Sequence, residues 1–259
     1  MCRWLNIPRS SYYYQAVDPV SEADLEDKIT YIFLESKSRY GARKIKKCLE
    51  KDGIILSRRR IRRIMKRLNL VSVYQKAAFK PHSRGKNEAP IPNRLDRQFD
   101  QKRPLEALVT DLTYVRVDRR WAYVCLTIDF FNREIIGLTV GWHKTAELVK
   151  QAIQSIPYAL TKAKLFHSDR GKEFDNQLID EILEAFGITR SLSQAGCPYD
   201  NAVAESTYRS FKLEFINQET FQSLKELALK TKDYVHWWNY HRIHGSLNYQ
   251  TPMTKRIIA

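Results

Sequence analysis

The chain has 259 residues, 43% of them hydrophobic and 12% aromatic, which suffices for one large domain or for a core with a smaller module. Its formal net charge is +15, which points to a polyanionic partner. No apolar run reaches the length of a membrane span and no signal-peptide pattern opens the chain, so a cytoplasmic protein without membrane contact is expected.

The charge is unevenly spread. Residues 37–86 hold eighteen Lys or Arg against Glu50 and Asp52, a net of +16, and the remainder is close to −1. The basic character therefore belongs to one module, and the rest reads as a near-neutral globular domain. Cys2, Cys48, Cys125 and Cys197 form no Cys-x-x-Cys pair, which favours reduced thiols and no structural zinc.

Residues 1–20 are aromatic and contain Pro8 and Pro19; they read as an arm whose tyrosines (Tyr12, Tyr13, Tyr14) pack on the next domain or touch DNA. Residues 21–70 predict three short helices. Ser21 caps the first, with Leu25, Ile29, Ile32 and Phe33 on one face. The second begins near Gly41, carries Ala42, Ile45 and Leu49, and closes at Gly53. Ser57 caps the third, whose apolar stripe is Ile61, Ile64, Met65 and Leu68. Around that stripe stand Arg58, Arg59, Arg60, Arg62, Arg63, Lys66 and Arg67. Like charges on adjacent turns repel, so this density favours an anionic partner over a merely solvated face. The segment reads as a helix-turn-helix module with residues 57–68 as its recognition helix, most arginines meeting phosphate and a few reaching base edges.

Residues 71–103 show no sustained period, contain Pro81, Gly85, Pro90 and Pro92, and read as a basic linker that tracks along DNA or along the next domain. From residue 104 the pattern changes. Leu108–Val117, Trp121–Ile128 and Glu134–Trp142 predict an antiparallel meander, with Asp118-Arg119-Arg120 and Asp129–Arg133 as turns. A helix capped by Thr145, a strand over 163–168, a helix capped by Asn176 and ending at Gly187, and a strand over 188–193 follow. After a loop at 194–199, a helix opening at Asp200 or Asn201 carries Ala204, Tyr208, Phe211 and Phe215 inward. Residues 104–218 thus predict a mixed α/β sheet with flanking helices. Residues 219–259 add a helix near 224–240 and a compact tail, with Trp237, Trp238 and Tyr240 packing on the core.

Three carboxylates stand out. Asp111 lies in the first strand, Asp169 at the end of the fourth, and Glu205 in the last core helix. Two strand carboxylates and one helical one can converge and hold divalent metal, since hard cations take oxygen ligands and keep positions open for phosphate and water. Asp129 is a rival carboxylate, with a turn role favoured. Thirty-five residues separate Asp169 from Glu205.

Thr110-Asp111, His167-Ser168-Asp169-Arg170-Gly171 and Glu205 resemble the Asp-Asp-Glu signature of integrases and transposases. Tyr40-Gly41-Ala42-Arg43, Asp111-Leu112-Thr113-Tyr114, Asp200-Asn201-Ala202 and Trp238-Asn239-Tyr240-His241-Arg242 resemble, in order and over nearly the whole chain, motifs of bacterial transposases of the insertion-sequence-three family. That resemblance implies a ribonuclease-H-like core with a five-stranded mixed sheet. It implies catalysis by Asp111, Asp169 and Glu205 on two Mg²⁺ ions, with Mn²⁺ as substitute and Asp111 bridging both. It further implies binding of terminal inverted repeats and target DNA in the bacterial nucleoid, 3′-end nicking followed by strand transfer, and a homo-oligomer on DNA. An upstream-frame helix-turn-helix and leucine-zipper protein is a possible partner or fusion.

Around the triad, Arg209 and Lys212 share a helical face with Glu205. An ordinary Glu205–Arg209 salt bridge is the bland reading, and Lys212 against DNA phosphate the functional one. Arg43 joins the DNA-contact candidates. His167 faces the same side of its strand as Asp169 and reads either as acting near the metals or, at least equally, as a supporting, hydrogen-bonded histidine. Asp200 and Asn201 read as caps of the helix that carries Glu205. His241, Arg242 and His244 match no zinc spacing and read as packing or DNA contacts. Rival functions are a nuclease of the same fold without strand transfer, and a DNA-binding repressor with an inactive core.

Overall fold

The computed structural model describes residues 21–76, 91–194 and 197–259, together with Cys2, Trp4, Leu5, Pro8 and Tyr12. Tyr13, Tyr14, the stretch 77–90 with Pro81, Gly85 and Pro90, and Gly196 lie outside the described residues. The chain divides into two units, 1–72 and 73–259.

Among the described residues, the first unit has helices α1 (Glu22–Glu35), α2 (Ala42–Lys51) and α3 (Arg58–Arg67). Ser21 Oγ accepts from the Asp24 amide at 3.0 Å and Ser57 Oγ from the Arg60 amide at 3.2 Å, so both expected N-caps form. Helix α2 ends in a Schellman turn: Ile54 N–H reaches the Leu49 carbonyl at 2.9 Å and Gly53 N–H the Glu50 carbonyl at 3.2 Å. Gly53 sits at φ +76, where a side chain would be strained. Leu25, Ile29 and Phe33 of α1, Ile45 and Leu49 of α2, and Ile61, Ile64 and Met65 of α3 are buried together as the unit's core.

The second unit is built on a five-stranded sheet of order β3-β2-β1-β4-β5. Its strands are β1 (Ala107–Val117), β2 (Arg120–Asp129), β3 (Ile135–Gly141), β4 (Leu165–Ser168) and β5 (Thr189–Leu192). Strands β1 to β3 form the expected antiparallel meander, while β4 runs parallel to β1 and β5 parallel to β4. Side chains alternate between the two faces along each strand. One face packs under α4 (Ala146–Gln154) and α5 (Gln177–Ala185), through Leu108, Cys125, Ile153, Phe166 and Leu183. The other packs under α6 (Ala202–Glu214) and α7 (Leu224–Tyr240), through Val109, Leu126, Tyr208, Phe211 and Trp238. A short α8 (Pro252–Ile258) closes the chain.

Residues 91–103 of the linker run along the second unit: Leu95 is buried in the core, Phe99 stacks on Phe130, and the Arg94 and Leu95 amides donate to Ser191 Oγ at 2.9 and 3.2 Å. A proline-bearing stretch without period can still plug a core through one or two apolar side chains, which periodicity does not report. Asn201 is the N-cap residue of α6 but its side chain makes no capping bond, and Asp200 instead accepts from the Gln194 amide at 3.0 Å and from Arg97 Nε at 2.8 Å. The preceding 3₁₀ turn, Pro198–Asn201, leads into the helix and takes the place of a side-chain cap. Of the closing aromatics, Trp238 is buried, but Tyr240 is exposed and stacks on His236.

Buried polar groups close the second unit. Glu214 accepts from Arg242 Nε at 2.9 Å and Nη2 at 2.8 Å and from Tyr234 Oη at 2.8 Å, and Tyr74 also donates to it. Asp129, fully buried, accepts from the Leu105 amide at 2.9 Å, from the Phe131 amide at 3.0 Å and from Arg256 at 2.7 Å. Asp129 is thus committed to the fold, in line with a turn role.

Candidate nucleic-acid site of an integrase-type core

The register of the parallel pair locates two of the three singled-out carboxylates. Val109 of β1 lies beside His167 of β4. The pairing ends there: Asp111 lies two residues further along β1, and Asp169 follows directly after the last residue of β4. Asp111 shares strand parity with Val109 and so lies on the face that α6 and α7 cover. Asp111 and Asp169 are both half-buried. Asp169 Oδ1 accepts from the Gly171 amide at 2.9 Å, which orients the carboxylate and turns the chain away from the sheet. A side chain at Gly171 would come within 2.4 Å of the Glu173 carboxylate and would displace it.

Glu205 lies in the first turn of α6 and is exposed. One turn on, Tyr208 is buried and ties this helix to the strand that carries Asp111. Its hydroxyl donates to the Asp111 carbonyl and accepts from the Leu126 amide at 2.7 Å. Asp111 and Leu126 are register partners in the β1–β2 ladder, so one phenol fixes both strands at the carboxylate's own position. Burial holds the Tyr208 hydroxyl well above its ordinary pKa, so it stays a neutral donor. Nothing in the spacing of residues 200–215 distinguished Tyr208 from a plain core aromatic.

All three candidates offer carboxylate oxygens, the donor set a hard cation such as Mg²⁺ takes. Among the described residues, no three His, Cys, Asp or Glu side chains form a group that could hold a metal ion. Asp111 lies in β1, Asp169 directly after β4 and Glu205 in the first turn of α6.

His167 is fully buried between β4 and β5, with Nδ1 2.9 Å from Ser191 Oγ and Nε2 3.1 Å from Ser193 Oγ. Burial lowers its pKa to about 4, and it is neutral at physiological pH. It is a hydrogen-bonded support for the strand that ends at Asp169. Burial alone would raise the Asp200 carboxyl, but Arg97 and the Gln194 amide outweigh it and hold the group below its usual range.

Cations flank the carboxylates. Lys212 of α6 lies 4.7 Å over the Tyr114 ring; burial lowers its pKa, with the Asp111 charge opposing. Arg209 is exposed on the same helix. Lys144 pairs with the buried Glu173 at 2.7 Å. Burial works against its charge, yet Glu173, Asp169 and Asp111 together raise its pKa. Only the fold brings residue 144 to this place. His241 is exposed, while Arg242 and His244 are buried side by side at 3.1 Å, so packing is what occupies the latter pair.

In the first unit the basic side chains divide into two sets. Arg58, Arg59, Arg62, Arg63 and Lys66 are exposed on α3, and Arg43 is exposed at the start of α2. Arg60 pairs with Glu22 at 2.6 Å, and Arg67 pairs with Glu22 at 3.1 Å and also with Glu26. These two, expected on DNA, lie along the edge that faces α1. At 100° per residue, positions 60 and 67 fall beside each other on the wheel, away from 59, 62 and 66.

The sheet order, the parallel β1–β4 pair with its carboxylates, and the helix bearing Glu205 define an integrase-type, ribonuclease-H-like core that follows a helix-turn-helix-like unit. Family models agree: one described as an integrase core domain matches residues 101–198, another of the same description matches 186–252, and an HTH-like domain matches 20–78. InsK of insertion sequence element IS150 from Escherichia coli (strain K12) is 30% identical, over 99% of this chain and 92% of that protein. The transposase for insertion sequence element IS904 from Lactococcus lactis subsp. lactis (strain IL1403) is 29% identical, over 88% of this chain and 91% of its own length. Transposase InsF for insertion sequence IS3A, also from E. coli, is 28% identical, over 96% and 91%. The chain belongs to this family of insertion-sequence transposases.

Proposed function

We propose that this chain is a DNA transposase that binds the terminal inverted repeats of its element and carries out phosphoryl transfer at Asp111, Asp169 and Glu205. The observation that supports this most is the parallel β1–β4 pair, which carries Asp111 in one strand and leads into Asp169 at the end of its neighbour, in a core where one of the face-covering helices bears Glu205. These carboxylates would hold Mg²⁺, with Mn²⁺ as substitute and oxygen donors enough for two ions. A divalent cation bound there supplies Lewis acidity and lowers the pKa of an attacking water or 3′-hydroxyl.

The chain's own residues orient and neutralise. Tyr208 fixes the Asp111 backbone, and the Gly171 amide holds the Asp169 carboxylate. Lys212 and Arg209 receive phosphate oxygens along α6. In the first step water attacks the phosphorus at the element's 3′ end, the P–O bond to the flanking strand breaks, and a 3′-hydroxyl is freed. In the second that hydroxyl attacks a phosphodiester of the receiving strand, one P–O bond forms as another breaks, and no external energy source is consumed. Arg58, Arg59, Arg62, Arg63 and Lys66 of α3, with Arg43, meet the duplex through phosphate and a few base edges. Two ends must be processed together, so a homo-oligomer on DNA is the working state, alone or with an upstream-frame partner. The DNA substrate puts that work at the bacterial nucleoid.

Incubation with a labelled end duplex that already carries a free 3′-hydroxyl, plus Mg²⁺ and a target duplex, separates a transposase from a nuclease. Joined products of the combined length are expected. Shortened products without joined ones would replace this reading by a nuclease of the same fold.

A further inference from the structure

We propose that the β1–β2 hairpin carries a stacking subsite for unpaired bases of the DNA strand that enters the site. The proposal rests on the reading of the chain as a DNA transposase and specifies how it grips a strand beside a nick.

Tyr114 is 54% exposed and Trp121 50% exposed, large aromatic surface left open on two paired strands. Their rings meet edge to face, with centroids 5.2 Å apart. Each ring also carries a cation: Arg116 lies 5.4 Å from the Trp121 ring, and Lys212 lies 4.7 Å from that of Tyr114. At the hairpin turn Arg119 and Arg120 are exposed, and Arg120 lies 4.4 Å over Trp142. Between Asp111 and Asp129 the sequence has one acid, Asp118, against Arg116, Arg119 and Arg120.

A hairpin stabilised only by a cross-strand aromatic pair has no need of four surrounding cations. Cations interleaved with open aromatic rings are what a single strand recognises: the charges follow its phosphates, and the rings offer π-faces to bases of any identity. The patch adjoins the candidate site across the edge of β1. Tyr114 follows Asp111 by three residues, about 10 Å along the strand, so the two side chains leave the sheet on opposite faces. Lys212 links them, lying over Tyr114 and within the electrostatic reach of Asp111. Strand β4 pairs with β1 only over 107–109, so a strand freed next to the carboxylates would pass round the edge of β1 beside Lys212 to reach Tyr114 and Trp121. The partner is a DNA strand with unpaired bases; contact with a closed duplex is the competing outcome.

The test is equilibrium binding of the full chain by fluorescence anisotropy in EDTA, where no cleavage takes place. One probe is a blunt duplex; the other is the same duplex with a short single-stranded tail containing a fluorescent adenine analogue. Trp121→Ala is expected to weaken the tailed probe about tenfold, the scale of one lost base–aromatic stack, to change the blunt probe less than about twofold, and to abolish quenching of the analogue. Trp121→Phe should retain most of the tailed-probe affinity, which a misfolded hairpin would not. Equal weakening of both probes, or of neither, would overturn the subsite and leave the pair a hairpin brace. Joining activity is read separately. A chain that fails to join strands yet shows the tail-specific loss keeps the subsite and loses the transposase reading; the reverse result does the opposite.

Discussion

Asp111→Asn is expected to lower strand cleavage by at least about a thousandfold, while duplex affinity stays within about twofold. The size follows from what the substitution removes: one full negative charge at a site where charge stabilisation of a phosphoryl-transfer transition state is worth several kcal/mol. The fold has little reason to respond. Asparagine is isosteric with aspartate, and the Tyr208 hydroxyl grips the backbone carbonyl of residue 111, which the substitution leaves in place. The exposed arginines of α3 belong to the other unit and are untouched. Single-turnover cleavage and anisotropy on the same end duplex check both halves. Cleavage within about tenfold of the wild type would remove Asp111 from the reaction.

The largest effect on stability is expected from Glu214→Ala. Glu214 is 1% exposed and Arg242 7% exposed, and the carboxylate takes hydrogen bonds from Arg242, Tyr234 and Tyr74. Its removal leaves a guanidinium buried without its counter-charge and takes a carboxylate acceptor from Tyr234 and Tyr74. Breaking a buried pair from one side costs about 3–5 kcal/mol. For a unit of this size each kcal/mol moves the melting temperature by about 2–4 °C, so a fall on the order of 10 °C is expected in thermal unfolding followed by circular dichroism. The double variant Glu214→Met with Arg242→Met should recover much of that loss, because two apolar side chains leave no buried charge. If Glu214→Ala costs less than about 1 kcal/mol, the network does not hold the unit together.

Local chemistry made much of this fold legible. Ser21, Ser57, Thr145 and Asn176 each read as N-caps, and each accepts a backbone N–H in the structure. Gly53 and Gly187 read as helix ends, and both take the left-handed conformation. The strand periods placed Asp111 within its strand and Asp169 at the end of another, and the structure pairs those two strands in parallel. What escaped was long-range and polar. Arg97 meets Asp200 across 103 residues, Tyr74 meets Glu214 across 140, and Arg256 meets Asp129 across 127. Such pairs have no period, because each partner looks locally like a surface charge or a linker aromatic. The same holds for Lys144, brought beside Glu173 by a turn between β3 and α4. The basic face of α3 was legible as charge, but its division was not: Arg60 and Arg67 turn to Glu22 because α1 supplies acids on that side.

Family membership names the kind of reaction, and the carboxylates are where this account stands or falls. The most direct test is Mg²⁺-dependent cleavage and joining of a labelled end duplex, with the wild type beside Glu205→Gln. Glu205 is the carboxylate that stands on a helix outside the sheet, so it carries the most risk. The account predicts nicked and joined products from the wild type and neither from the variant, with equal binding of the duplex by both. Joined products from Glu205→Gln at wild-type levels would contradict it.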